Sequence, residues 1–123
     1  MSAARRVSVT NLTRGTALAA SMPVARSMTE RMVGLLRTPQ RELGDGLLIE
    51  KSPSIHMFFM RYAIDAVFVD GAGRVTKTVP RLRPWRVVWW ARGARDCLEL
   101  PVGRIHESAT VVGDRLEISA VSP

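Results

Sequence analysis

Apolar and polar positions alternate with a period of two through most of this chain. In Arg6–Leu12, Val7 and Val9 alternate with Ser8 and Thr10, the pattern of a half-buried strand. Arg14-Gly15 predicts a turn, and Thr16–Ala20 a returning strand. The period then lengthens once. Met28, Met32, Leu35 and Leu36 recur at helical spacing, and Ser27 with Glu30 has the arrangement of a capping box. One short helix is therefore expected over about residues 28–36, stopped by Thr38-Pro39, with Arg31 and Arg37 on its exposed side. Beyond Gly44-Asp45-Gly46 the short apolar runs resume: Leu47–Ile49, Ile55–Phe59, Ala66–Val69, Arg74–Val79, Trp85–Trp90, Cys97–Leu100 and Arg115–Ser119. Ser52-Pro53-Ser54, Asp70-Gly71-Ala72-Gly73 and Gly113-Asp114 separate them as turns, the second as a hairpin.

One helix cannot supply the crossovers of a layered α/β fold. The expected class is α+β, mostly β: a compact barrel-like or sandwich-like antiparallel sheet of about eight short strands with one short helix. The 123 residues, 46% hydrophobic, suit a single domain with a real core. No apolar run approaches the ~20 residues of a membrane-spanning helix. Thr10, Asn11, Thr13 and Arg14 interrupt any signal-like stretch near the N-terminus, which leaves the cytoplasm as the default expectation.

Charge narrows the partners more than the fold. The chain carries a net charge of +7, with basic residues that are almost all arginine. This balance favours anionic partners such as nucleic acid, phosphorylated ligands or acidic surfaces. The single cysteine, Cys97, rules out an intrachain disulfide and is expected as a partly covered strand residue. His56 and His106 lack metal-ligand spacing, and Cys97 alone cannot complete a zinc site. No glycine-rich loop suits a phosphate, and His106 reads as a surface histidine in a loop. No metal, cofactor or catalytic residue is expected.

Two segments carry candidate chemistry. Ile55–Asp70 places His56, Arg61 and Asp65 among large apolar residues, where charges must find partners. The plain expectation is that Arg61 pairs with Asp65 while His56 bonds to backbone. The functional one is a shallow pocket with a guanidinium, an imidazole and a carboxylate at its mouth. The second segment, Arg74–Arg95, holds Arg74, Lys77, Arg81, Arg83, Arg86, Arg92 and Arg95 with no acid, interleaved with Trp85, Trp89 and Trp90. That mixture suits single-stranded nucleic acid. Adjacent Trp89 and Trp90 should point to opposite faces, one into the core and one to its rim.

The first segment, as Ile55-His56-x-x-x-Met60-Arg61-x-x-Ile64-Asp65, resembles the signature of a branch of the domain of unknown function 192 family. Matching pieces follow in order: Arg31-x-x-Gly34-Leu35-Leu36, Gly46-Leu47-Leu48, Val67-Phe68-Val69-Asp70 with Gly73, Leu82-x-Pro84-Trp85-Arg86, Leu98-Glu99-Leu100-Pro101-x-Gly103, and Gly113-Asp114. The resemblance spans Arg31 to Asp114. It implies a small β-rich α+β domain with no established reaction, cofactor or ligand. It departs at Ala63, where the family pattern has proline.

The leading expectation is a non-enzymatic binding module for a small anionic ligand or an acidic protein segment, with a pocket around His56, Arg61, Asp65, Trp85 and Arg86. One alternative is a hydrolase or transferase with His56 and Asp65 as base and orienter. The other is single-stranded nucleic-acid binding through Arg81, Arg83, Arg92 and Arg95.

Overall fold

The computed structural model describes residues 5–27, 29–32 and 38–121; among these are nine strands, a five-residue helix, a 3-10 turn and the helical residues 29–32. The strands are β1 (Arg6–Asn11), β2 (Thr16–Ala25), β3 (Leu47–Ile49), β4 (Ile55–His56), β5 (Ile64–Val69), β6 (Val75–Leu82), β7 (Val87–Val88), β8 (Asp96–Leu100) and β9 (Leu116–Ala120). Helix α1 is described over residues 29–32, and α2 runs over Arg104–Ser108. Ser27 Oγ accepts from Glu30 N at 3.2 Å, the cap expected of it, while Glu30 Oε2 accepts from Arg26 N, one residue before the cap. Met28, Leu35 and Leu36 of the expected helix face lie outside the described residues.

Seven strands form one curled half-barrel sheet in the order β6-β5-β8-β3-β2-β1-β9, and β4 with β7 form a separate two-stranded ribbon. Every pair in both sheets is antiparallel except β2 with β3, which run parallel because the chain crosses over between them. The expected antiparallel sheet therefore forms with that one pair as its exception. A second correction is α2, expected as loop. Its five residues give no long helical periodicity, and it forms where Asp65 accepts its N-terminal amides.

The middle strands are buried on both faces, so every residue of β5 is buried and all but Asp65 are apolar. Period two then divides the core. Ile64, Ala66, Phe68 and Cys97 pack on one side with Ile55, Met57 and Val88 of the ribbon. Val67, Val69, Leu98 and Leu100 pack on the other with Val9, Leu18, Met22 and Ile105. Cys97 is fully buried rather than partly covered, because the ribbon side roofs it. Its thiol pKa is pushed well up by desolvation and by neighbouring Glu99.

The two edge strands approach at one end of the curl, where Arg74 bridges Arg115 and Leu116 N donates to Gly73 O at 2.8 Å. Gly46, at φ 99°, passes so close to β8 that a Cβ there would sit 1.9 Å from the Glu99 carbonyl oxygen. Gly46→Ala is therefore expected to cost roughly 2–4 kcal/mol in urea unfolding, from backbone strain and overpacking together. An unchanged midpoint would contradict this close approach.

Candidate functional site

The ribbon brings four rings together, His56, Phe58, Phe59 and Trp85. In β4–β7, His56 stands opposite Val87. The turn after β4 is locked to the turn before β7: Trp85 N donates to Met57 O at 2.7 Å, and Met57 N to Arg86 O at 2.8 Å. This exchange forces the rings outward. His56 stacks on Phe58 at 4.7 Å, Phe58 lies 5.9 Å from Trp85, and Trp85 lies 4.9 Å from Phe59. Phe59 and Trp85 are 63% and 58% exposed, and both have left-handed backbone, at φ 66° and 69°. Bulky side chains seldom occupy that region. Together with Met60 and Arg61 they line a shallow, open cleft, and His56, Phe58, Val87 and Trp89 line a depression beside it.

The ribbon thus brings the Trp85 ring and the Arg86 backbone beside the turn that follows His56, and Arg61 lies at the cleft edge. Asp65 does not join them. Its neighbours Ile64 and Ala66 face the ribbon, so the alternation turns Asp65 to the opposite side of the sheet. There it is 1% exposed, accepting from Arg81 N at 2.9 Å, Gly103 N at 3.1 Å and Ile105 N at 2.9 Å. The expected Arg61–Asp65 pair is absent among the described residues; Arg61 is exposed, and the carboxylate is filled by backbone amides. A His56–Asp65 base-and-orienter arrangement does not form either. His56 Nδ1 instead accepts from Phe58 N at 3.3 Å, the backbone bond expected of it. Its pKa is lowered by burial and by Arg31 beneath it.

That Arg31 is the largest departure from expectation. Placed on the exposed side of the helix by periodicity, it is 0% exposed. Its Nε and Nη2 reach Glu99 Oε1 at 2.7 and 2.5 Å, and Nη2 lies 3.7 Å from Met57 Sδ. Glu99 is buried on the ribbon side of β8; its pKa is raised by desolvation, against the lowering pull of Arg31. Its Oε2 takes no hydrogen bond among the described residues. The same carboxylate helps burial raise Tyr62, which donates to Thr38 O. An ion pair therefore forms the floor under the aromatic face. The sequence signal was Glu99 set between Leu98 and Leu100, a charge in a strand buried on both sides. Phe58 and Phe59 were also missed, because their apolar run reads as an ordinary strand.

In the basic segment, Arg74, Lys77, Arg81, Arg83, Arg86, Arg92 and Arg95 are all exposed. Trp89 and Trp90 are both exposed, at 80% and 70%, which corrects the expectation of one core and one rim ring. Only Val87–Val88 pair as a strand, so the tryptophans leave the ribbon before its faces can cover them. The described His, Cys, Asp and Glu side chains form no group that could hold a metal ion, and no described helix is long and apolar enough to cross a membrane.

The molecule is thus a curled β half-barrel with a detached ribbon that carries an aromatic and arginine face. The sequence model of the family domain of unknown function 192, described as "Uncharacterized ACR", matches residues 9–118, and this chain belongs to that family. It is 32% identical over 111 residues to a UPF0127 protein of Thermococcus sibiricus, covering 87% of this chain and 71% of that one. A UPF0127 protein of Pyrococcus furiosus is 34% identical over 110 residues, with 87% and 94% covered. Among solved structures, a Sinorhizobium meliloti protein described as a "putative transcription regulator" superposes with a TM-score of 0.74 at 22% identity, covering 94% of both chains. A Novosphingobium aromaticivorans protein of unknown function does so at 0.70 and 23%, covering 91% of this chain and 83% of that one. These two likenesses show the fold alone.

Proposed function

We propose that this domain is a non-enzymatic binding module that takes an acidic segment of a partner protein across the ribbon's aromatic face. The observation that carries the reading is the Phe59–Trp85 pair, exposed and held on two left-handed backbones. Strain at bulky residues persists where surrounding structure enforces it, commonly at binding sites. Exposed contiguous apolar surface has the same association. Arg61, Arg83 and Arg86 supply the charge, and neither Ser52–Ile64 nor Gly71–Arg95 contains an acid. Guanidinium groups favour carboxylates in paired, planar contacts. The cleft is too open to enclose a small molecule, whereas an extended segment could lay apolar side chains on the rings and carboxylates on the arginines.

The test is titration with a short peptide of alternating glutamate and phenylalanine, followed by calorimetry, beside a lysine–phenylalanine control. The acidic peptide is expected to bind and to weaken with salt. Arg61→Ser with Arg86→Ser is expected to lower its affinity roughly tenfold or more, at about 1.4 kcal/mol per tenfold. Equal binding of both peptides, or no effect of the double variant, would remove this reading. Citrate binding of similar strength would instead favour a small anion.

A further inference from the structure

We infer that the loop from Trp89 to Arg95 is an anchor for an anionic membrane surface. In this arrangement Trp89 and Trp90 enter the headgroup layer while Arg92 and Arg95 meet lipid phosphates. The inference goes beyond the segment-binding reading and rests on a different loop. Trp89 and Trp90 are 80% and 70% exposed, above Phe59, Trp85 and the remaining exposed large apolar residues described. Neither makes a ring contact among the described residues, so neither belongs to the stacked aromatic cluster.

The loop is built rather than slack. Ala91, between Trp90 and Arg92, is 1% exposed, and its N–H donates to Pro53 O at 2.7 Å. Ala94 N donates to Ala91 O at 3.0 Å, and Arg95 N to Val69 O at 2.7 Å. Ser52 N returns a bond to Arg95 O at 2.7 Å. The indoles therefore project from a fixed backbone, and little ordering cost remains to be met on insertion.

Geometry and charge together select the partner. A peptide strand or a row of bases presents one shaped surface, which readily covers one of two consecutive projecting indoles. A headgroup layer is fluid and several ångströms deep, so it can surround both at once. Tryptophan concentrates at that depth because its ring is apolar and its N–H is wet. The field selects the lipid: Arg92 has no charged partner among the described residues, and Arg95 has only Asp96 at 3.8 Å. With no acid from Gly71 to Arg95, the loop is attracted to an anionic leaflet.

The test is sedimentation of the whole chain with phosphatidylcholine vesicles, with and without phosphatidylglycerol, while tryptophan emission is recorded. Binding only to the phosphatidylglycerol vesicles is expected, with a blue shift and weakening in salt. Trp90→Ser with Arg92→Ser, neither of which lines the cleft or the depression beside it, should lose roughly tenfold or more of that affinity. Both side chains are exposed, so the melting temperature should hold. Capture of the acidic peptide through Arg61 and Arg86 should also survive, so either reading can fail without the other. No pelleting, or equal pelleting of the double variant, would overturn the anchor. So would oligothymidylate binding that the double variant abolishes while vesicles are ignored. A dimer dispersed by the same variant in the absence of lipid would also overturn it.

Discussion

Arg31→Met is expected to cost the fold roughly 3–5 kcal/mol, a large share of the stability of an ordinary small domain. The guanidinium and the Glu99 carboxylate are both fully buried. Removing one leaves an uncompensated charge on the ribbon side of the sheet, beside Met57 and Tyr62. Pairing Arg31→Met with Glu99→Leu should recover most of the loss, because an apolar pair of similar volume avoids both desolvation costs. The pH dependence has a definite sign. Glu99's folded pKa lies above its ordinary value, so in the window between the two the folded chain holds a proton that the unfolded chain releases. Stability thus falls as pH rises through that window. Loss of Arg31 removes the influence that lowers the pKa and extends the window upward. The single variant should therefore regain stability on mild acidification, and the double variant should not. Urea unfolding across pH reads both effects, and a single variant within error of the parent would refute the ion-pair account.

The second large effect is at Asp65. Asp65→Ala would orphan the amides of Arg81, Gly103 and Ile105, at about 1–3 kcal/mol for each one left buried and unpaired. Roughly 3 kcal/mol or more is expected, with α2 loosened first because two of those amides belong to its N-terminal turn. Asp65→Asn keeps one acceptor oxygen but turns an amino group towards amides, so an intermediate loss is expected. Arg61→Ala serves as the contrast. Were Asp65 held by Arg61, the two alanine variants would unfold alike. The backbone account requires that Arg61→Ala leave the midpoint unchanged while hydrogen exchange in α2 rises only in the Asp65 variants.

How much of this was legible in the chain depended on how local the deciding physics was. Strand positions, the cap that Ser27 gives Glu30 N, and the Asp70 hairpin follow from period, propensity and turn chemistry within a few residues. Asp70 Oδ1 accepting from Ala72 N and Arg74 N is local physics of that kind. The β-rich class and the family resemblance were legible for the same reason, whereas the placing of Trp85 and Arg86 beside the His56 turn rests on backbone bonds between distant segments. Asp65 shows where local reasoning stopped. Its alternation was readable, but which side of β5 the ribbon would cover is decided by strand order. The sequence by itself could not show that Asp65's partners come from β6 and α2, up to 40 positions away. Arg31 and Glu99 stand 68 positions apart, and helical periodicity alone treats a lone arginine as solvated. Trp89 and Trp90 fail in the opposite direction: alternation promised one of them a core, but β7 ends at Val88, before either ring meets a neighbouring layer. The sequence alone determined which elements form and which charges and rings are available. Tertiary structure decided which of them are buried together and which face solvent, because burial is set by which surfaces meet and not by the residues next along the chain.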